Sequence, residues 1–375
     1  MRVLHVYSGN LYGGVESFLR TVAQEQALRP GLTHAFALCF EGRLADELRE
    51  AGAEVHLLGA ARVGRPWTVY RARAALRELL RRERYDVVLC HAIWPQALFG
   101  PVARAARVPL VFYQHDVLYG RHWLERWARA TPPDLVITNS RFSAGTLAAV
   151  YPHARSRLAY CPVRALEPAA AEDRARLRAE LGAGEKDAVI VQTSRMQELK
   201  GQRLLLEALG RLRQVPGWQA WVAGGAQRVE EEEYLAGLKA QAEGLGLTGR
   251  VHFLGQRSDV PRLLRAADIH CQPNISPESF GIAFVEALLA GLPVVTTAMG
   301  GPLEIVDATC GVLVPPRPAP LAVELRKLIE NPEARQRLGA AGPARAAKLC
   351  DPALYLRHLD EALRDVVPEE ALRAS

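Results

Sequence analysis

Halfway along the chain, Ala188-Val189-Ile190-Val191-Gln192-Thr193 is an almost unbroken apolar run, and it ends in Ser194-Arg195. A run of this kind, without strict alternation, suits a strand buried on both faces of a parallel sheet. Met1-Arg2-Val3-Leu4-His5-Val6-Tyr7 opens the chain in the same way. Each run starts a series. Strand-like segments at 3–7, 35–39, 54–58, 86–90, 110–114 and 135–138 follow from the first start. Those at 188–193, 219–223, 251–254, 269–272, 293–297 and 311–314 follow from the second. Between them lie helical patterns, for example at 15–27, 69–82 and 204–212. Strand, helix and strand repeated in this way predict an α/β protein made of two doubly wound domains.

The stretch Cys161-Pro162-Val163-Arg164-Ala165-Leu166-Glu167-Pro168 loses the periodicity and carries two prolines, the mark of an interdomain linker. The domains are expected at 1–164 and 185–350. The tail, 351–375, reads as one more amphipathic helix with Leu354, Leu359 and Leu363 among its apolar positions.

A length of 375 residues fits two domains of ordinary size. With 49% hydrophobic and 23% charged residues, the chain has ample material for cores and is neither disordered nor fibrous. The net charge of +6 points to anionic ligands or surfaces. Nothing resembles a compact nucleic-acid module, so no nucleic-acid partner is expected. Six cysteines are scattered without a C-x-x-C pair, which suggests single buried thiols in a reducing compartment. The first apolar run is too short for a signal peptide or a membrane span, and no later run is long enough. A cytoplasmic location is expected.

Four stretches carry chemistry. The first, Gly9-Asn10-Leu11-Tyr12-Gly13-Gly14-Val15-Glu16, follows the first strand and opens a helix. Its glycine pair lets a ligand approach the backbone and exposes helix N-terminal N–H groups to an anion; a tight turn would look the same. The second, Ser194-Arg195-Met196-Gln197-Glu198-Leu199-Lys200-Gly201, places two cations after a strand, where they could meet a diphosphate leaving group. Ordinary surface charge is the alternative. The third, Pro277-Glu278-Ser279-Phe280-Gly281-Ile282-Ala283-Phe284-Val285-Glu286, sets two glutamates around a helix start. The helix N-terminus suits a diphosphate, and carboxylates accept hydrogen bonds from vicinal hydroxyls. The fourth is Met299-Gly300-Gly301-Pro302-Leu303-Glu304, a strand end that turns into another helix.

Taken in order, these four stretches resemble the retaining glycosyltransferases of family 4. That family has the GT-B fold, two facing Rossmann-like domains with a C-terminal helix crossing back to the N-domain. The resemblance runs along essentially the whole chain, and the glutamate pair is its most specific part. It implies that Arg195 and Lys200 bind the donor diphosphate, Glu278 the transferred sugar and Glu286 the ribose. Gly13, Gly14 and Phe280, with the backbone of Gly281, Ile282 and Ala283, would contact the donor, and the base would lie near Leu254 and Arg257. His115, in Gln114-His115-Asp116, matches a position facing the reacting sugar. Ser194 departs from the glycine common in the family. The implied donor is a UDP- or GDP-sugar. The acceptor would be a sugar, a lipid-linked molecule or a small molecule, and neither cofactor nor metal is expected.

The arginine-rich helix around 69–84 has an apolar face, Val69, Ala72, Leu76, Leu79 and Leu80, and a basic outer face that could meet anionic lipid headgroups at the inner membrane face. Other classes compatible with such domains are a nucleotide-cofactor oxidoreductase, disfavoured because the dinucleotide fingerprint is missing, a sugar-nucleotide epimerase or phosphorylase, and a non-catalytic nucleotide-sugar-binding protein.

Overall fold

The computed structural model describes residues 1–9, 12–167 and 171–368. Asn10 and Leu11 of the glycine loop, Pro168 of the linker stretch and residues 369–375 of the tail lie outside the described residues. The chain forms two compact units: Met1–Arg164 with Cys350–Ser375, and Ala165–Leu349.

The first unit holds strands β1 (Arg2–Tyr7), β2 (Thr33–Leu38), β3 (Glu54–Leu57), β4 (Val87–His91), β5 (Leu110–Gln114), β6 (Leu135–Thr138) and β7 (Ser156–Leu158) in one parallel sheet, ordered β3-β2-β1-β4-β5-β6-β7. The second holds β8 (Ala188–Thr193), β9 (Trp218–Ala223), β10 (Val251–Gly255), β11 (Ile269–Gln272), β12 (Val294–Thr297) and β13 (Gly311–Val314), ordered β10-β9-β8-β11-β12-β13 and again parallel. In each, the strand order reverses beside the first strand, as in doubly wound nucleotide-binding sheets. The central strands are buried along their length because helices cover both faces, which is why their sequences are apolar without alternation.

Each unit has its own core. In the first, Leu4, Val6, Val88, Phe99 and Phe112 are among the fully buried side chains. In the second, Ile190, Leu205, Trp218, Leu263 and Phe284 are. All six cysteines are buried.

One boundary and one strand differ from the sequence expectation. The second unit begins before residue 185, because helix Ala171–Glu180 is tied into it: Arg174 and Arg178 reach Asp268 at 2.8 and 2.9 Å. Strand β7 is an addition. It is three residues long, ends the sheet and carries Ser156 and Arg157 exposed, so no apolar run marks it.

Helix Pro352–Arg364 returns to the first unit. Tyr355 meets Phe18 edge-on at 5.4 Å, and Nε of Arg29 donates to Asp360 at 3.0 Å. Helix Pro66–Arg82 buries Val69, Ala72 and Leu76, with Leu79 and Leu80 packed beside them, and exposes Arg71, Arg77, Arg81 and Arg82. No described helix is long and apolar enough to cross a membrane.

Candidate active site

In open α/β sheets ligands bind beyond the carboxyl ends of the strands, where the strand order reverses. In the second unit that point lies between β8 and β11. The loop after β8 carries Arg195 and Lys200, and the loop after β11 carries Glu278. The fold therefore brings together Lys200 and Glu278, 78 apart in sequence, without any long-range sequence signal. Lys200 Nζ and Glu278 Oε1 form an ion pair at 2.5 Å, both side chains less than one-fifth exposed. The other carboxylate oxygen of Glu278 accepts from Asn274 Nδ2 at 2.8 Å and from Gln272 Nε2 at 3.1 Å. Three donors thus hold this carboxylate in one orientation, and two of them stand at the end of β11.

Arg195 is held differently. One of its terminal nitrogens pairs with Glu231, while Nε is buried without a hydrogen-bond partner. Glu231 also accepts from the backbone N–H of Gln227 at 2.7 Å and from Gln197 at 3.1 Å. Burial alone would raise its pKa. The Gln227 N–H and the Arg195 guanidinium outweigh that and hold it below the usual range. Glu231 is a buttress that the sequence reading missed. It sits within four consecutive glutamates, Glu230 to Glu233, where nothing marks the one that turns inward.

The glutamate stretch leads into helix Ile282–Leu289, capped by Gly281 at φ 105°, a conformation that excludes most side chains. No side chain caps this end, and the first N–H groups of a helix have no partner within it. Ile282 and Ala283 supply these groups and are partly exposed; Phe280 is buried beneath. Glu286 lies one turn into the helix and is half-buried. Gly300 and Gly301 form the floor. A Cβ on Gly301 would fall 2.5 Å from Ser279 O and 2.6 Å from Phe280 Cα, and Gly301 N donates to Glu278 O at 2.8 Å.

Leu254 lies at a register shift between Phe253 and Gly255 near the end of β10, the kind of bulge that re-aims a strand terminus. Arg257 just beyond makes a bidentate pair with Asp259 at 2.8 and 2.7 Å, so its guanidinium is already committed to a carboxylate.

In the first unit, Gly13 caps helix Gly14–Gln24 after β1, and Glu16 in its first turn accepts from Tyr7 Oη at 2.8 Å. His115 follows β5, stacked on Tyr113 at 4.4 Å and only 6% exposed. Burial pushes its pKa down to about 3, so it is neutral at pH 7. Burial, with Glu125 nearby, raises that of Asp116.

The second-unit arrangement has the parts an anionic leaving group requires: two fixed cations, one with an unpaired N–H, and an uncapped helix N-terminus. Preorganised positive charge of this kind stabilises negative charge as it develops. A carboxylate locked in place beside it can accept hydrogen bonds from hydroxyls.

Comparison with known proteins places this geometry. Residues 12–165 match the model for Glycosyltransferase Family 4, and residues 173–345 that for Glycosyl transferases group 1. A D-inositol 3-phosphate glycosyltransferase of Nocardioides sp. is 33% identical over 309 residues, 73% of this chain and 67% of that protein. One from Mycobacterium sp. (strain KMS) is 33% identical over 251 residues, 61% of this chain and 55% of that protein, so the chain spans about half the length of such curated relatives. The crystal structure of Anabaena Alr3699/HepE in complex with UDP and glucose matches with a TM-score of 0.86 and 27% identity, covering 97% of this chain and 100% of that one. Its complex with UDP-glucose matches equally well, at 26% identity. With both family models matched in order, a relative one-third identical over two-thirds of its length, and two parallel Rossmann-like sheets, the chain belongs to the family-4, group 1 glycosyltransferases of GT-B fold.

Proposed function

We propose that the protein transfers a hexosyl group, with retention at the anomeric carbon and without a metal ion, from a UDP-sugar to a hydroxyl of a sugar, lipid-linked or small-molecule acceptor. The observation that carries this reading is the convergence of Arg195, Lys200 and Glu278 at the β8/β11 reversal, beside the uncapped helix at Gly281. The likeness to a protein solved with UDP-glucose supports UDP over GDP as the nucleotide.

In this mechanism Arg195, through its unpaired Nε, and Lys200 hold the diphosphate, assisted by the N–H groups of Ile282 and Ala283. Charge accumulates on the leaving phosphate as the glycosidic bond breaks, and these groups stabilise it. Glu278 orients the sugar through its hydroxyls, and Glu286 holds the ribose. Gly13 and Gly14 allow close approach of the donor, and His115 contacts the transferred sugar. The leaving phosphate takes the acceptor proton. The exposed arginines of helix Pro66–Arg82, with exposed Trp67 and Tyr70, would favour an anionic lipid surface when the acceptor is lipid-linked.

The test is a transfer assay with UDP-, GDP- and ADP-sugars against a panel of hydroxyl acceptors, following nucleotide release and the anomeric configuration of the product. Acceptor-dependent release of UDP and an α-linked product from an α-linked donor are expected, and both should survive excess EDTA because the cations are built into the protein. Activity lost in EDTA and restored by magnesium or manganese would refute metal independence. Release of GDP alone would refute the choice of nucleotide.

A further inference from the structure

Four histidines form a continuous array inside the first unit. His34 lies on β2, His5 on β1, His91 ends β4 and His115 follows β5. The strand registers pair Val3 with His34, His5 with Leu89, and His91 with Tyr113. Each step of the array therefore crosses one strand and advances two residues, which keeps all four rings on one face of the sheet. His34 Nδ1 lies 2.9 Å from His5 Nε2, His5 Nδ1 2.8 Å from His91 Nε2, and His91 Nδ1 2.9 Å from His115 Nε2. Phe18, Phe36 and Tyr113 pack around the rings. All four histidines are almost fully buried. Burial lowers His34 to about 4 and His115 to about 3, and His5 and His91 also lie well below the ordinary value. The rings are neutral at pH 7.

Every link joins an Nδ1 to the Nε2 of the next ring. A neutral imidazole has one N–H and one lone pair, so the tautomer of one ring dictates all the others. Either every ring carries its proton on Nδ1 and donation runs from His34 to His115, or every ring carries it on Nε2 and donation runs back. Any mixture sets two N–H groups or two lone pairs against each other. The far end decides between them. His34 Nε2 is buried with no hydrogen-bond partner. In the backward state it would be a buried N–H without an acceptor, a donor stripped of water with nothing in return. In the forward state it is a bare lone pair, and the N–H emerges at His115 Nδ1, at the carboxyl edge of the sheet. The sealed end also prevents the array from passing a proton to bulk water.

We propose, on the reading that His115 faces the transferred sugar, that His34, His5 and His91 are positioning residues that lock His115 in the Nδ1–H tautomer, so that it meets the sugar as a hydrogen-bond donor and not as a base. Imidazole side chains free in water favour the Nε2–H form, so the lock leaves a signature that mere packing would not.

The test uses the full chain with ¹⁵N-labelled imidazoles. Long-range ¹H–¹⁵N correlation reads each ring's tautomer, with assignment by single His→Gln variants among the ten histidines. All four rings are expected to be neutral and protonated at Nδ1. His115 on Nε2–H, or rings in opposite senses, would overturn the proposal. His91→Leu removes the donor to His115 Nε2. It should let His115 exchange between tautomers and lower kcat roughly tenfold, with donor KM within about twofold. His91→Gln, whose amide can donate to the same nitrogen, should restore both. A folded His91→Leu with unchanged His115 signals would count against the lock. If that variant does not fold, the parental spectrum alone decides. An unchanged kcat in His115→Ala, with the Nδ1–H tautomer seen in the parent, would instead remove His115 from the sugar and leave the lock standing.

Discussion

Two glutamates eight positions apart have different surroundings, and that difference sets what each can do. Glu278 is clamped by Lys200, Asn274 and Gln272, a fixed acceptor at the place proposed for the sugar. Glu286 lies inside a helix, at the place proposed for the ribose, remote from the breaking bond. A contact equal in ground and transition states supplies uniform binding, whereas one that strengthens as the bond breaks lowers the barrier. Glu286→Gln should therefore mainly raise donor KM, and Glu278→Gln mainly lower kcat. A charge-assisted hydrogen bond is worth about 1.5–3 kcal/mol, so each effect should be roughly tenfold to over a hundredfold in steady-state kinetics at saturating acceptor. Variants that both behave like the parent would dissociate this motif from the donor. The glutamate pair was legible in the sequence because it flanks a glycine at a helix start. Glu231 was not, because its role depends on the inward turn of one residue among four identical ones. The histidine array was equally hidden. Its members lie on four strands, and only the register of the sheet aligns them.

At the scale of elements, the donor loops are built on close backbone contact. The loop from Pro277 to Gly281 rests on the turn at Gly300–Gly301, with no room for a methyl group between them. Gly301→Ala forces the two apart. We expect a loss of stability of roughly 1–3 kcal/mol, as for overpacked sites, together with a rise in donor KM, since Glu278 is carried by the displaced loop. Denaturant midpoints and donor titration measure both; an alanine variant with parental values of each would show that the loop tolerates the shift. All twelve strands expected from apolar runs are present, and the central ones are the plainest, because a strand buried on both faces must be apolar throughout. Strand β7 escaped because an exposed three-residue edge strand has no such requirement. Helix Ala171–Glu180 falls between the two domains expected from the sequence, but its arginines fasten it to Asp268 in the second unit, a contact that only the folded chain makes.

At the scale of the whole molecule, buried histidines set the response to acid. His5, His34, His91, His115 and His270 all have folded pKa values below the unfolded value of 6.5, with His34 at about 4 and His115 and His270 at about 3. Between these values the unfolded chain binds more protons than the folded one, so stability is full above pH 6.5 and is lost as pH falls towards 4 and below. Each such histidine contributes about 1.4 kcal/mol per pH unit within that window. Urea midpoints measured from pH 8 to 4 should be level at first and then drop steeply below 6.5; a flat profile down to pH 4 would mean that these rings are not buried neutral. The same measure of stability reaches the central claim, that the second unit holds the diphosphate of a UDP-sugar through Arg195 and Lys200. A ligand that binds only the folded state at a hundred times its Kd adds about 2.7 kcal/mol. The deciding measurement is the stability of the full chain with and without saturating UDP, for the parent and for Arg195→Ala/Lys200→Ala. The account predicts stabilisation of the parent by UDP and little or none of the double variant; no effect of UDP on the parent, or equal stabilisation of both proteins, would contradict it.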